Sequence, residues 1–166
     1  MPNWCYNRLY VQGDSGEFYD KITSDDYKEI NILKNIVPIP PEEEGNWYEW
    51  CNINWSTKWG DCSTRLVESD DGWLHLVFDS AWAPPIEGMK KVSAAYPNLI
   101  FALVYEEGGM SIIGAARFEK GRETVTVDVT HPSEEFEGDI SNDDDYERYC
   151  DSITAKMDFL VETVKF

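Results

Sequence analysis

The stretch TRLVESDDGWLHLVFDSA, from Thr64 to Ala81, decides how the rest of the chain is read. Thr64 to Ser69 and Trp73 to Ala81 have the apolar and β-branched content of strands. Between them, Asp70-Asp71-Gly72 supplies the short side chains and free φ angle of a tight hairpin turn. On the second strand His75 faces opposite to Leu74 and Leu76, so it is expected at the surface or as a satisfied polar group rather than as a catalytic base.

Outward from this hairpin the pattern changes period. Pro84-Pro85 suits the first turn of a helix, Ile86, Met89, Val92 and Tyr96 give that helix an apolar stripe, and Pro97 stops it. Leu99 to Tyr105 is nearly continuously apolar, as a central strand requires. Glu106-Glu107-Gly108-Gly109 then turns the chain into a strand from Met110 to Glu119. After Lys120-Gly121-Arg122, Val125, Val127 and Val129 alternate with Thr124, Thr126 and Asp128, marking a strand with one wet face near an edge.

Upstream, Trp4 to Gln12 alternates as a first strand and ends at Gly13-Asp14-Ser15-Gly16. A short helix follows through Phe18, Tyr19 and Ile22, and the polar run from Thr23 to Glu29 loosens the chain. Pro38, Pro40 and Pro41 imply that Ile30 to Ile39 packs as an extended segment. Asn46 is placed to cap the next helix, with Glu49 able to complete a variant capping box. Trp47, Trp50, Cys51, Asn54 and Trp55 then share one helical face. At the far end, Tyr146, Tyr149, Cys150, Ile153, Met157, Leu160, Val161 and Val164 form the stripe of a helix over 144–165. Asp143, Asp144 and Asp145 lie at its positive end.

Strand, helix, strand, strand, helix, strand is the α+β order of a ferredoxin-like antiparallel sheet (βαββαβ). The reading is therefore one domain over 1–166, with a core of about 1–119 carrying a Trp-rich insertion. An extension over 120–166 adds C-terminal strands, an acidic segment at 133–147 and the C-terminal helix. Helices on one face leave the other bare, and the Trp-rich insertion and last helix are the available covers.

The 166 residues are 42% hydrophobic, and 32 acids against 14 bases give a net charge of −18. Such a surface repels phosphate backbones and anionic membranes, so neither long nucleic acid nor a bilayer is an expected partner. No apolar run reaches the ~20 residues of a membrane span, and Met1 to Tyr10 lacks the pattern of a signal peptide. A bacterial cytoplasmic location follows as the expectation. Cys5, Cys51, Cys62 and Cys150 contain no Cys-x-x-Cys pair, and His75 and His131 are the only histidines. No metal or cofactor is expected, and the thiols read as small buried groups.

Two features carry the functional reading. Trp47, Trp50, Trp55 and Trp59 fall within thirteen residues. That density is a core or a recognition surface, and Trp55, Lys58, Trp59 and Trp82 are the candidates for an aromatic pocket able to hold a base. Eight carboxylates, Glu134, Glu135, Glu137, Asp139, Asp143, Asp144, Asp145 and Glu147, lie between Ser133 and Glu147 without a base. They lack the ordered spacing of a calcium loop and read either as a solvated segment or as a surface that mimics nucleic-acid charge. The usual catalytic motifs are missing. Glu106, Glu107 and Asp79 are the remaining candidates for paired carboxylates.

Met1-Pro2-Asn3-Trp4-Cys5-Tyr6-Asn7, Asn46-Trp47-Tyr48-Glu49-Trp50-Cys51, Trp55-Ser56-Thr57-Lys58-Trp59 and Phe78-Asp79-Ser80-Ala81-Trp82-Ala83-Pro84-Pro85 resemble the YubB-type ferredoxin-like domain proteins of bacteriophages and conjugative plasmids. The resemblance runs from Met1 to about Gly114, with Ser56 where that family's motif has glycine, and nothing is similar from Glu123 onward. It implies the fold and a mobile-element origin, but no reaction and no catalytic residues. The function expected is therefore a non-enzymatic acidic protein. It would bind and inhibit a host defence protein through a basic surface, such as that of a nuclease, with the 133–147 carboxylates as the contact. The alternative is a protein that binds or sequesters a small nucleotide in the aromatic pocket.

Overall fold

The computed structural model describes residues 3–23 and 29–165. Most of the polar run expected to loosen the chain, and Met1 and Pro2 of the first motif, lie outside the described residues.

Six strands form one antiparallel sheet: β1 (Trp4–Gln12), β2 (Cys62–Asp70), β3 (Trp73–Ala81), β4 (Ile100–Glu107), β5 (Ile112–Glu119) and β6 (Arg122–Asp128). Their spatial order is β2-β3-β1-β4-β5-β6. The first four strands have the ferredoxin-like arrangement, and β5 and β6 extend the sheet beyond β4. The Thr64–Ala81 hairpin closes as its sequence requires, with Asp70 opposite Trp73 and Gly72 at φ 87°. Two register shifts in β2, one on each side of Arg65 and Leu66, let it bend at the sheet edge.

One face packs under α1 (Gly16–Ile22), α2 (Ile32–Ile36), α3 (Trp47–Trp55) and α4 (Ile86–Ala95). Leu9, Leu76, Phe101, Leu103 and Phe118 from the strands meet Phe18, Leu33, Met89 and Val92 from the helices, all essentially inaccessible to solvent. Each such side chain contributes roughly 1.5–3 kcal/mol of transfer free energy before chain entropy is subtracted. Gly88 is where α2, α3 and α4 meet. A methyl group there would lie 2.6 Å from Leu33 Cδ2 and 3.4 Å from the Trp55 Cα.

Two expectations upstream of α3 fail for physical reasons. Residues 30–39 are not uniformly extended, because the buried Asp61 carboxylate accepts the Ile32 and Leu33 amides (2.9 and 2.8 Å) and so caps a helical turn before the prolines intervene. Asn46 makes no capping hydrogen bond either. It ends a 3-10 segment, Pro41–Asn46, that runs straight into α3.

The opposite face is covered by α6 (Asp143–Val164), with the short α5 (Pro132–Glu135) just before it. Met157, Leu160, Val161 and Val164 press on Tyr10, Ala102, Val104, Ile113 and Ala115, where two alanines allow close approach. The stripe is shorter than its sequence suggests, since Tyr146 is exposed. The Trp-rich insertion does not cover this face. It packs with α4 in the first helical layer, where Trp55 and Cys51 are buried. On the part of the second face formed by β1 and β3, Tyr10, His75 and Trp73 stack instead, with the Tyr10 and His75 rings 4.3 Å apart and Lys165 Nζ 4.7 Å from the Trp73 ring. His75 faces away from Leu74 and Leu76 as read from sequence. It is not a satisfied polar group, because among the described residues its buried Nε2 has no hydrogen-bond partner.

Candidate functional site

The motif residues converge at one end of β1 and β3. The buried Asn7 amide donates to the Cys5 carbonyl (2.8 Å), the Phe78 carbonyl (3.3 Å) and Ser80 Oγ (2.9 Å), and Ser80 Oγ donates to the Ala83 carbonyl (2.7 Å). Thr57 Oγ1 bonds both the carbonyl and the amide of Ala81 at 3.0 Å, and the Trp82 amide bonds the Asn3 carbonyl. Burial pushes the Cys5 thiol up to about 12, so it stays protonated. This is a joint between segments, fastened by the Asn7, Thr57 and Ser80 side chains.

Ser56 explains its own departure from glycine. It occupies the left-handed position that ends α3, at φ 64°, where glycine is favoured, while its Oγ accepts the Glu87 amide at 3.2 Å and so caps α4.

The acidic segment is ordered by an anchor at each end. His131, 1% exposed, places Nε2 3.0 Å from Glu106 Oε1. Its Nδ1 accepts the Ser133 amide (3.1 Å) and lies 2.7 Å from Ser133 Oγ, which is itself 2.8 Å from Ser111 Oγ. The amide fixes the tautomer, with the lone pair on Nδ1 and the proton on Nε2. The Ser-His-Glu row works as a latch between α5 and the end of β4. At the other anchor, Asn142 Oδ1 accepts the Asp144 and Asp145 amides and caps α6. Between the anchors, Asp145 accepts the Asp139 amide and pairs with Arg148 at 2.6 Å. Asp139 accepts Ser141, a bond that lowers its carboxyl below the usual range, and Glu135 pairs with Lys156 at 2.5 Å. Glu134, Glu137, Asp143, Asp144 and Glu147 face solvent.

The aromatic candidates separate. Trp55, Lys58 and Trp59 line one cleft of about 390 Å³ together with Trp47, Lys34 and Cys62. Trp82 does not line it, and its half-exposed ring lies just past the end of β3. Lys34 is not readable as a cleft residue, since its segment is expected to be extended, and Trp47 reads only as one member of the apolar helical stripe. The paired-carboxylate candidates also separate. Asp79 and Glu106 both lie beside Tyr6 but on opposite neighbouring strands, so about two strand spacings, ~10 Å, divide them. Glu106 serves His131, while Glu107 is buried and accepts the Gly109 and Met110 amides that close the β4–β5 turn.

A β2-β3-β1-β4 sheet with helices on one face, extended by two strands and backed by a C-terminal helix, defines an α+β ferredoxin-like domain. The family model for the ferredoxin-like domain in Api92-like protein matches residues 54–149, and the chain belongs to that family. The crystal structure of protein api92 from Yersinia pseudotuberculosis is similar at a TM-score of 0.53 and 19% identity, over 62% of this chain and 42% of that one. The chain thus spans less than half the length of that protein, and the likeness concerns the fold. No curated protein matches the sequence. The family match continues through Tyr149, so the acidic segment lies within the matched region.

Among the described residues no helix is long and apolar enough to cross a membrane, and no cluster of His, Cys, Asp or Glu is arranged to hold a metal ion.

Proposed function

We propose that this chain is a non-enzymatic protein of phage or conjugative-plasmid origin, acting in the bacterial cytoplasm. It docks its acidic end on the basic, nucleic-acid-binding surface of a host defence protein. The observation that carries this reading is the order of the acidic segment. A stretch of charge that serves only solubility needs no fixed shape, yet here a buried histidine latch, an asparagine cap and an internal Asp139–Asp145 bond hold the carboxylates in place. Glu134, Glu137, Asp143, Asp144 and Glu147 then form a fixed array of outward charge, suited to electrostatic steering and to competition with a nucleic acid. The global charge of −18 adds long-range attraction to any basic partner.

The test begins with capture of a partner from host lysate, followed by affinity measurement over a range of salt. The variant Glu137→Gln, Asp143→Asn, Asp144→Asn, Glu147→Gln leaves the latch, the cap and Asp145 untouched. At a few tenths of a kcal/mol or more per exposed charge, it should weaken binding on the order of tenfold and flatten the salt dependence. The wild-type chain should also displace DNA or RNA from the captured protein. Unchanged affinity in the variant, or a partner that keeps its nucleic acid at saturation, defeats the proposal.

A further inference from the structure

We propose that the cleft between the α2 segment and α3 is a second, independent site that binds a nucleoside monophosphate. The base lies against the indoles of Trp47 and Trp59, and the phosphate sits at Lys34 and Lys58.

Shape supports a small planar ligand. The volume of about 390 Å³ falls in the range of roughly 300–1,000 Å³ found for ligand sites. Trp55 forms a rigid wall: it is 1% exposed, and its N–H donates to the Val37 carbonyl at 3.0 Å. Trp47 is 39% exposed and Trp59 partly so, which leaves ring surface available for stacking.

Charge selects an anion. The chain has more than twice as many acids as bases, yet two lysines and no carboxylate line this cleft. Four other clefts each present at least one carboxylate, among them Asp70 and Asp71, Glu17, Glu135, and Asp61. Among the described residues neither lysine forms an ion pair. Lys58 Nζ instead lies over aromatic faces, 4.4 Å from the Trp59 ring centroid and 5.6 Å from that of Tyr48. The nearby Asp61 is fully engaged, accepting the Ile32 and Leu33 amides and Thr64 Oγ1. Burial raises both the Cys51 and Cys62 thiols, so neither adds negative charge. The cleft is therefore a local positive site on an acidic molecule.

The surroundings limit the ligand to a single nucleotide. Between the lining residues Ile39 and Trp47 the chain carries Glu42, Glu43 and Glu44, and together with the global charge they oppose the phosphates of a longer strand.

The four common ribonucleoside monophosphates are titrated into the full chain at low salt, followed by tryptophan fluorescence and calorimetry. The parent nucleosides, inorganic phosphate and a single-stranded RNA oligomer form the comparison arms. At least one monophosphate should bind saturably, tenfold or more tighter than its nucleoside, inorganic phosphate or the oligomer per site. The double variant Lys34→Gln, Lys58→Gln should lose tenfold or more with an unchanged melting temperature, and Trp59→Leu should remove most of the fluorescence change. The acidic-end variant should bind the nucleotide at least as well as wild type, which separates this site from the docking surface. No saturable binding by any of the four, equal binding of nucleoside or phosphate alone, preference for the oligomer, or an unaffected double variant each overturns the proposal.

Discussion

Acidification should weaken the fold through one ring. His75 stacks on Tyr10 with Trp73 alongside, and burial, followed by the positive charges of Arg8 and Lys165, lowers its pKa from 6.5 to about 4. Tyr10 packs against it from β1, Arg8 is paired with Asp158 of α6, and Glu68 stands opposite it in register on β2. Below about pH 6.5 the unfolded chain binds a proton that the folded chain refuses, so stability falls as the pH drops towards about 4, below which both states are protonated. At ~1.4 kcal/mol per pH unit the full shift sets an upper bound of about 3 kcal/mol, and the ring's partial exposure reduces this to roughly 1–2 kcal/mol. His75→Phe keeps a flat ring against Tyr10 and beside Trp73 and removes the titration. Urea unfolding of both proteins at pH 7, 5.5 and 4 isolates the term, because every other titrating group is shared. The stability gap should widen in favour of the variant by about 1–2 kcal/mol between pH 7 and 4. Parallel curves would refute the argument.

Two further perturbations address the joints of the fold. Ser56→Ala keeps the left-handed strain at φ 64° and removes the Glu87 cap, so it should lose about 0.5–1.5 kcal/mol. Ser56→Gly loses the same bond but relieves the strain, and thermal melts should place it about 1 kcal/mol above the alanine variant. His131→Phe fills the volume but leaves the Ser133 amide and Glu106 without their partner, at a loss of about 1–3 kcal/mol in urea unfolding. Amide exchange should accelerate first around Thr130 to Phe136, and unchanged protection there would show that the latch holds nothing.

Local periodicity made much of this fold legible. The β2–β3 hairpin, the apolar run of β4 and the Met157 to Val164 stripe of α6 each carry their pattern within a few residues, and the strand order follows from their succession. What escaped depends on partners far apart in sequence. The α2 turn rests on Asp61, separated from it by 28 and 29 residues, and the His131 latch on Glu106, 25 residues away. The tryptophan stripe announced burial without saying in which layer, because an indole packs equally well on a sheet or on a helix. Of the cleft, Trp55, Lys58 and Trp59 were readable from their proximity. Lys34 and Trp47 join only through the tertiary arrangement of α2 and α3, and Trp82, past the end of β3, stands outside the lining.

The Asn7, Ser80 and Thr57 network bears on how kinship among such proteins is interpreted. Its members are the words by which a related sequence is spotted, and all of them act as carpentry, fastening one strand terminus to a hairpin and to the end of a helix. Shared vocabulary at these positions therefore certifies a common frame while leaving the trade of each molecule to be read elsewhere, from the faces that the frame holds outward.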